Sequence, residues 1–188
     1  MLSRMYCLVI IILQVNYLCL FLIILNRSPF ITAIQTLDAQ GETENMGKYI
    51  TSYFDSPNEP LFPFDFGLSY TDFNIDFVLS STEMTKDSEI VVTANIENIV
   101  DKLGTQTVQL YLQDITASVS RLVKQLVGFE NITLKPHEKG QIKFVIKYNM
   151  LKFWNDKMQY VAELGKFNVF IGSDSTTQNK QTFTLLDK

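Results

Sequence analysis

The sequence predicts an all-β fold, an antiparallel sandwich of immunoglobulin-like type, on three observations. From Phe73 onward, apolar and polar residues alternate with period two. The alternating runs are short and separated by turn-forming residues. Between them no stretch of useful length repeats at helical spacing.

The runs follow in chain order. In "FNIDFVLSS" Phe73, Ile75, Phe77 and Leu79 share one side; in "EIVVTANIEN" it is Ile90, Val92, Ala94 and Ile96, and in "TVQLYLQD" Val108, Leu110 and Leu112. Polar residues lie between them, so each strand is expected to bury one face. "KQLVGFENITL", "GQIKFVIKY", "QYVAEL", "KFNVFIG" and "KQTFTLL" supply further strands, and "TKDSE", "VDKLG", "LKPHEKG" and "GSDSTTQNK" supply the breaks. Seven or eight short strands are therefore expected, enough for two packed sheets. One interruption, "NMLKFWND" (Asn149 to Asp156), suits a single helical turn or wide loop plugging one end of the sandwich. Trp154 is expected in the core there.

The N-terminal part is different. "MYCLVIIILQVNYLCLFLIIL", Met5 to Leu25, carries no charge and as a helix would reach about 30 Å, the hydrocarbon thickness of a bilayer. Residues 1–30 are therefore expected to form a hydrophobic helix that engages a membrane, as an export signal or an anchor, the alternative being a core helix or an upstream tract without a functional role. Residues 31–56 have a polar middle and no sustained period, and read as a linker. Residues 57–72 form a proline- and aromatic-rich connector, and residues 73–188 the sandwich.

Charge and cysteine content exclude several function classes. Arg4 and Arg27 are the only charged residues before Asp38, leaving 14 basic and 20 acidic residues in the remainder. That acidic balance argues against nucleic acid as a partner. Cys7 and Cys19 both lie in the apolar segment, so the β region has no thiol for a disulfide or a cysteine-ligated metal.

No residue pattern points to catalysis, a cofactor or a metal. Hydrolysis by a carboxylate pair needs two carboxyls about 5 to 9.5 Å apart, one with a raised pKa. Asp87, Glu89, Asp101, Glu130 and Glu138 instead occupy turns or outward strand positions. His137, the only histidine, lies in the turn "KPHEKG" without a G-x-S-x-G elbow elsewhere. "GSDSTTQN" lacks the ligand spacing and terminal glutamate of an EF-hand. Asn131-Ile132-Thr133 is a formal glycosylation sequon, read as a chance occurrence.

Four phrases, "PLFPFDFGLSYTDF", "VQLYLQDITASVSRLVKQLVGFENITLKP", "LKFWN" and "GKFNVFIGSDS", resemble the C-terminal end of glycoside hydrolase family 3, and more narrowly its bacterial periplasmic β-glucosidases. The resemblance runs from about Lys48 to Lys188. It implies a fibronectin type III-like domain that carries neither the nucleophile nor the acid/base carboxylate, which lie in a barrel and an α/β domain. Those two domains are the implied partners, and the periplasm or its membrane face the implied location. The connector, with Phe62, Phe64, Phe66 and Tyr70, would lie between the α/β domain and the sandwich. Without that domain its aromatics either fold back or leave an apolar patch through which Phe62, Phe64 and Phe66 drive self-association.

The chain departs from the family's phrases at several turns: Asp65 stands where relatives read PFGYG, Leu122 where they read SRP, His137 where they read LKPGE, and Leu164 where they read EPG. Such replacements of glycine or proline suggest a truncated or decaying product. Two functions follow as expectations. One is a non-catalytic structural module; the other is a subunit of a split β-glucosidase whose catalytic domains sit on another chain. A secreted carbohydrate-binding module is a third, lacking only an evident row of exposed aromatics.

Overall fold

The computed structural model describes residues 64–187. The expected N-terminal helix, the linker over 31–56 and the start of the connector, Phe62 included, lie outside them. The strands are β1 (Phe73–Leu79), β2 (Glu83–Met84), β3 (Glu89–Asn98), β4 (Gly104–Asp114), β5 (Gln125–Leu134) and β6 (Lys139–Lys147). A 3-10 turn over Tyr148–Leu151 precedes β7 (Phe153–Trp154) and β8 (Tyr160–Val161), and β9 (Gly165–Gly172) and β10 (Lys180–Leu185) complete the fold.

β1-β3-β6 form one sheet and β2-β10-β9-β4-β5 the other, while β7 and β8 pair as a separate small hairpin. The inward residues of both sheets merge into one core. Phe77, Ile90, Val92, Ala94, Ile96 and Ile146 meet Val108, Leu110, Val169, Ile171 and Phe183 there. Phe167 and Phe183 stack within it, ring centroids 5.4 Å apart and planes 14° apart. Among the described residues ten strands, three of them only two residues long, thus realise the expected all-β sandwich.

Four departures from the sequence reading have physical causes. "QYVAEL" pairs only at Tyr160 and Val161. β2 runs parallel to β10, because a two-residue strand inside the β1–β3 connection reaches the edge of the other sheet. β4 buries both faces, Gln109 and Tyr111 being as inaccessible as Val108 and Leu110. Trp154 is not in the core: it is 61% exposed, because β7 turns its neighbour Phe153 inward in its place.

One buried polar residue ties the loops together. Asn98 is fully buried at the end of β3; its Nδ2 donates to the carbonyls of Lys102 (2.7 Å), Leu134 (3.2 Å) and Lys135 (3.1 Å), and its Oδ1 accepts from the amide of Val100 (3.1 Å). Main-chain oxygens of the β3–β4 loop and of the end of β5 are satisfied this way.

Candidate functional site

The outer faces of the two sheets are built differently. On the three-stranded sheet, β3 and β6 present a solvated ladder: Glu97 with Lys139 (3.3 Å), Asn95 with Gln141 (2.8 Å) and Glu89 with Lys147 (3.4 Å). Such exposed pairs contribute little and mark a face that water covers.

The five-stranded sheet carries part of its outer face under other chain segments. Gln109 and Tyr111 on β4 and Phe170 on β9 are buried there, although each alternates with a core residue. The connector and the β9–β10 loop cover them. The Nε2 of Gln109 donates to the Asp65 carboxylate and to the Ser173 carbonyl (3.1 Å), and its Oε1 accepts from the Tyr111 hydroxyl. The Ser175 amide donates to the Phe64 carbonyl at 3.2 Å. Lys124 stands 4.6 Å above the Phe170 ring and donates to the carbonyls of Ser175 (2.8 Å) and Thr177 (2.5 Å).

Burial sets the electrostatics of this patch. It raises the pKa of Asp65, with Asp174 adding to the rise and the Gln109 hydrogen bond opposing it. Burial likewise holds the Tyr111 phenol protonated, helped by Asp65 and Asp174, and depresses Lys124 against the pull of Asp174. Around it stand half-exposed phenylalanines. Phe64 and Phe66 flank Asp65, and Phe129, 66% exposed, lies directly across the β4–β5 ladder from Gln109.

A second feature is a shallow groove at the end of the sandwich, lined among others by Leu112, Asp114, Arg121, Leu122, Met150 and Leu151. It holds no more than about one water and is too small for a sugar ring. Asp114 has one oxygen, Oδ2, buried without a hydrogen-bond partner; burial raises its pKa, as does Glu163, while the Thr116 amide and Arg121 oppose the rise.

The acidic residues considered from sequence, Asp87, Glu89, Asp101, Glu130 and Glu138, are all exposed and scattered over both sheets and their turns. His137 is exposed in its turn, with Nε2 2.7 Å from Asp101. Asn131 and Thr133 of the sequon point outward from β5, bonded to Thr107 (2.7 Å) and Thr105 (2.8 Å). Sequence reasoning missed Gln109 and Tyr111, because an amide and a phenol at alternate positions look solvent-facing. The sign that was available is that Tyr111, Phe129 and Phe170 put three aromatics on one outer face.

Residues 106–175 match the family model described as a fibronectin type III-like domain. That part of the chain is fibronectin type III-like. It corresponds to the C-terminal portion of family 3 β-glucosidases. The chain is 50% identical over 144 residues to a periplasmic β-glucosidase of Salmonella typhimurium, covering 76% of this chain and 19% of that protein. It is 36% identical over 134 residues to a β-xylosidase of Formosa agariphila, covering 71% of this chain and 18% of that one. Among solved structures, a mutant β-glucosidase from Listeria innocua in complex with laminaribiose superposes with a TM-score of 0.77 at 32% identity, over 84% of this chain and 22% of its own. The chain thus spans about a fifth of the length of the curated relatives it matches.

Proposed function

We propose that this chain acts as a non-catalytic module. In this reading it packs, through the outer face of its five-stranded sheet and the connector, against the barrel and α/β domains of a family 3 glycosidase. Hydrolysis of β-glucosides belongs to those domains, whether on the same chain or on another. The observation that carries the reading is the contrast between the two faces. One is a solvated ion-pair ladder, while the other binds a connector flanked by half-exposed Phe64, Phe66 and Phe129. Apolar area of this kind stabilises an interface by about 25 cal/mol per Å² removed from water.

The location that goes with this reading is the periplasm, supported by the likeness to a periplasmic relative. The uncharged tract from Met5 to Leu25 serves as its export signal or anchor. The domain division follows the same reading, with residues 57–72 as connector and 73–188 as the sandwich. Deprived of its catalytic partner, the module self-associates through Phe62, Phe64 and Phe66.

The test mixes the purified chain with the Salmonella typhimurium β-glucosidase shortened by its matching terminal region, and assays an aryl β-glucoside. Complex formation, weakened by Phe129→Ser, with no turnover by the chain alone is the expected result. Turnover by the chain alone that disappears on substituting one acidic residue overturns the reading, as does the absence of any complex.

A further inference from the structure

The β7–β8 hairpin presents an arrangement that neither the core nor the covered sheet face uses. Trp154 and Tyr160 are a directly opposed cross-strand pair, ring centroids 5.4 Å apart and planes inclined at 45°. Both are more than half exposed. Their strand neighbours point the other way: Phe153 is buried, with the Arg121 guanidinium 4.3 Å above its ring. The hairpin is therefore anchored by one face and offers two aromatic rings to solvent on the other.

The tip is held rigid. Asn155 is buried; its Oδ1 accepts from the amides of Lys157 (3.0 Å) and Gln159 (2.9 Å), and its own amide donates to the Gln159 carbonyl (3.1 Å). Met158 completes the turn at φ 57, a left-handed conformation that costs a side-chain-bearing residue about 1–2 kcal/mol. A strained turn holding exposed aromatics in fixed positions is the form of a preorganised binding element, since no ordering remains to be done when a ligand arrives.

Size and polarity select the occupant. A protein partner needs about 20–30 residues a side, whereas this hairpin spans only Phe153 to Val161. Its rings are bordered by exposed Asp156, Lys157 and Gln159, which offer hydrogen-bond donors and acceptors. A pyranose matches both features: its C–H face is attracted to the negative face of an aromatic ring, and its hydroxyls need polar neighbours. Two rings inclined to one another fit consecutive sugars that are twisted, and a flat crystalline surface meets only one of them.

We infer that Trp154 and Tyr160 form a binding platform for soluble β-linked glucose oligosaccharides. The choice of glucose rests on the reading above; the platform itself rests on the hairpin.

Trp154 is the only tryptophan in the chain, so its fluorescence reports this site alone. Full-length protein is titrated with laminaribiose, cellobiose and their longer homologues, and with maltose as the α-linked control. The expected result is a blue shift of emission and about a twofold fall in acrylamide quenching, with a dissociation constant on the order of 1 mM. Tyr160→Ala keeps the reporter and should abolish both changes, while Phe129→Ser on the sheet face should leave them intact. Emission and quenching unaltered by every β-linked sugar overturn the inference, as does a response that survives Tyr160→Ala. Protection that appears only on adding the catalytic part of the β-glucosidase assigns the hairpin to a protein contact and overturns it too. In none of these cases does the packing test on Phe129 change its outcome, so the two readings fail separately.

Discussion

Gln109 in the middle of β4 and Asp65 in the connector are joined by a hydrogen bond across the outer face of the five-stranded sheet. The same Gln109 amide nitrogen reaches the Ser173 carbonyl, and its oxygen receives the Tyr111 hydroxyl. One buried side chain therefore fixes where the connector enters relative to the β9–β10 loop.

Gln109→Leu should release the latch. The variant leaves Tyr111 and the Ser173 carbonyl without their partner in a site that water scarcely reaches, a loss of about 1–3 kcal/mol. A urea titration should show the lowered midpoint, and limited proteolysis should cut ahead of Phe73 faster than in the parent protein. An unchanged cleavage rate would mean that Ser175 and Lys124 hold this region unaided.

The raised carboxylates predict an unusual pH dependence. Asp65 and Asp114 both have folded pKa values above the unfolded value of about 3.9, burial being the largest cause in each. Folding therefore favours their protonated forms. The stability they contribute is fully present below the unfolded pKa and is lost as pH rises through the raised folded pKa. Asp114→Asn should raise the thermal midpoint at neutral pH and change it little under strongly acid conditions. Asp114 faces Arg121 and Glu163, so Glu163→Gln should reproduce part of the gain. Equal effects of Asp114→Asn at both pH values would sink the argument.

How much of this was legible in the sequence depended on what each face was packed against. Strands with one wet face, such as β3 and β6, announced themselves through alternation, since Ile90, Val92, Ala94 and Ile96 bury while Glu89 and Glu97 do not. β4 hid half its role: Gln109 follows the same alternation, and only the connector and the β9–β10 loop folded over it make that position interior. Trp154 was misplaced for the opposite reason. Aromatic size predicts burial, but between Phe153 and Trp154 the strand turns only one inward, and the two-residue ladder with Tyr160 fixes which. The turn positions were better marked. Asp65 and His137, which stand where the family resemblance places glycine, both adopt positive φ, at 61° and 56°.

Asn98 makes a separate prediction about stability. Its amide serves three main-chain carbonyls from a fully buried position, so Asn98→Ala strands those acceptors rather than merely removing a side chain. The expected loss is roughly 2–3 kcal/mol. Chemical denaturation measures it, and hydrogen exchange should show faster exchange at the Val100 amide, which loses its acceptor.

The two left-handed residues should respond oppositely to glycine. His137 is exposed, and its contact with Asp101 joins two side chains open to solvent, the kind of pair whose net contribution is small. Replacing it by glycine relieves the positive φ, offset in part by the greater freedom glycine gives the unfolded chain, so His137→Gly should gain about 0.5–1 kcal/mol. Asp65→Gly relieves the same kind of strain but withdraws an acceptor from Gln109, which is only 2% exposed. The lost hydrogen bond in a buried network outweighs the relieved backbone, and Asp65→Gly should be neutral to destabilising by about 1 kcal/mol. Melting curves of the two variants, with the double variant to check that these distant sites add, decide the matter. A stabilising Asp65→Gly would show that the connector is held by its backbone contact to Ser175 and that the Gln109 bond contributes nothing.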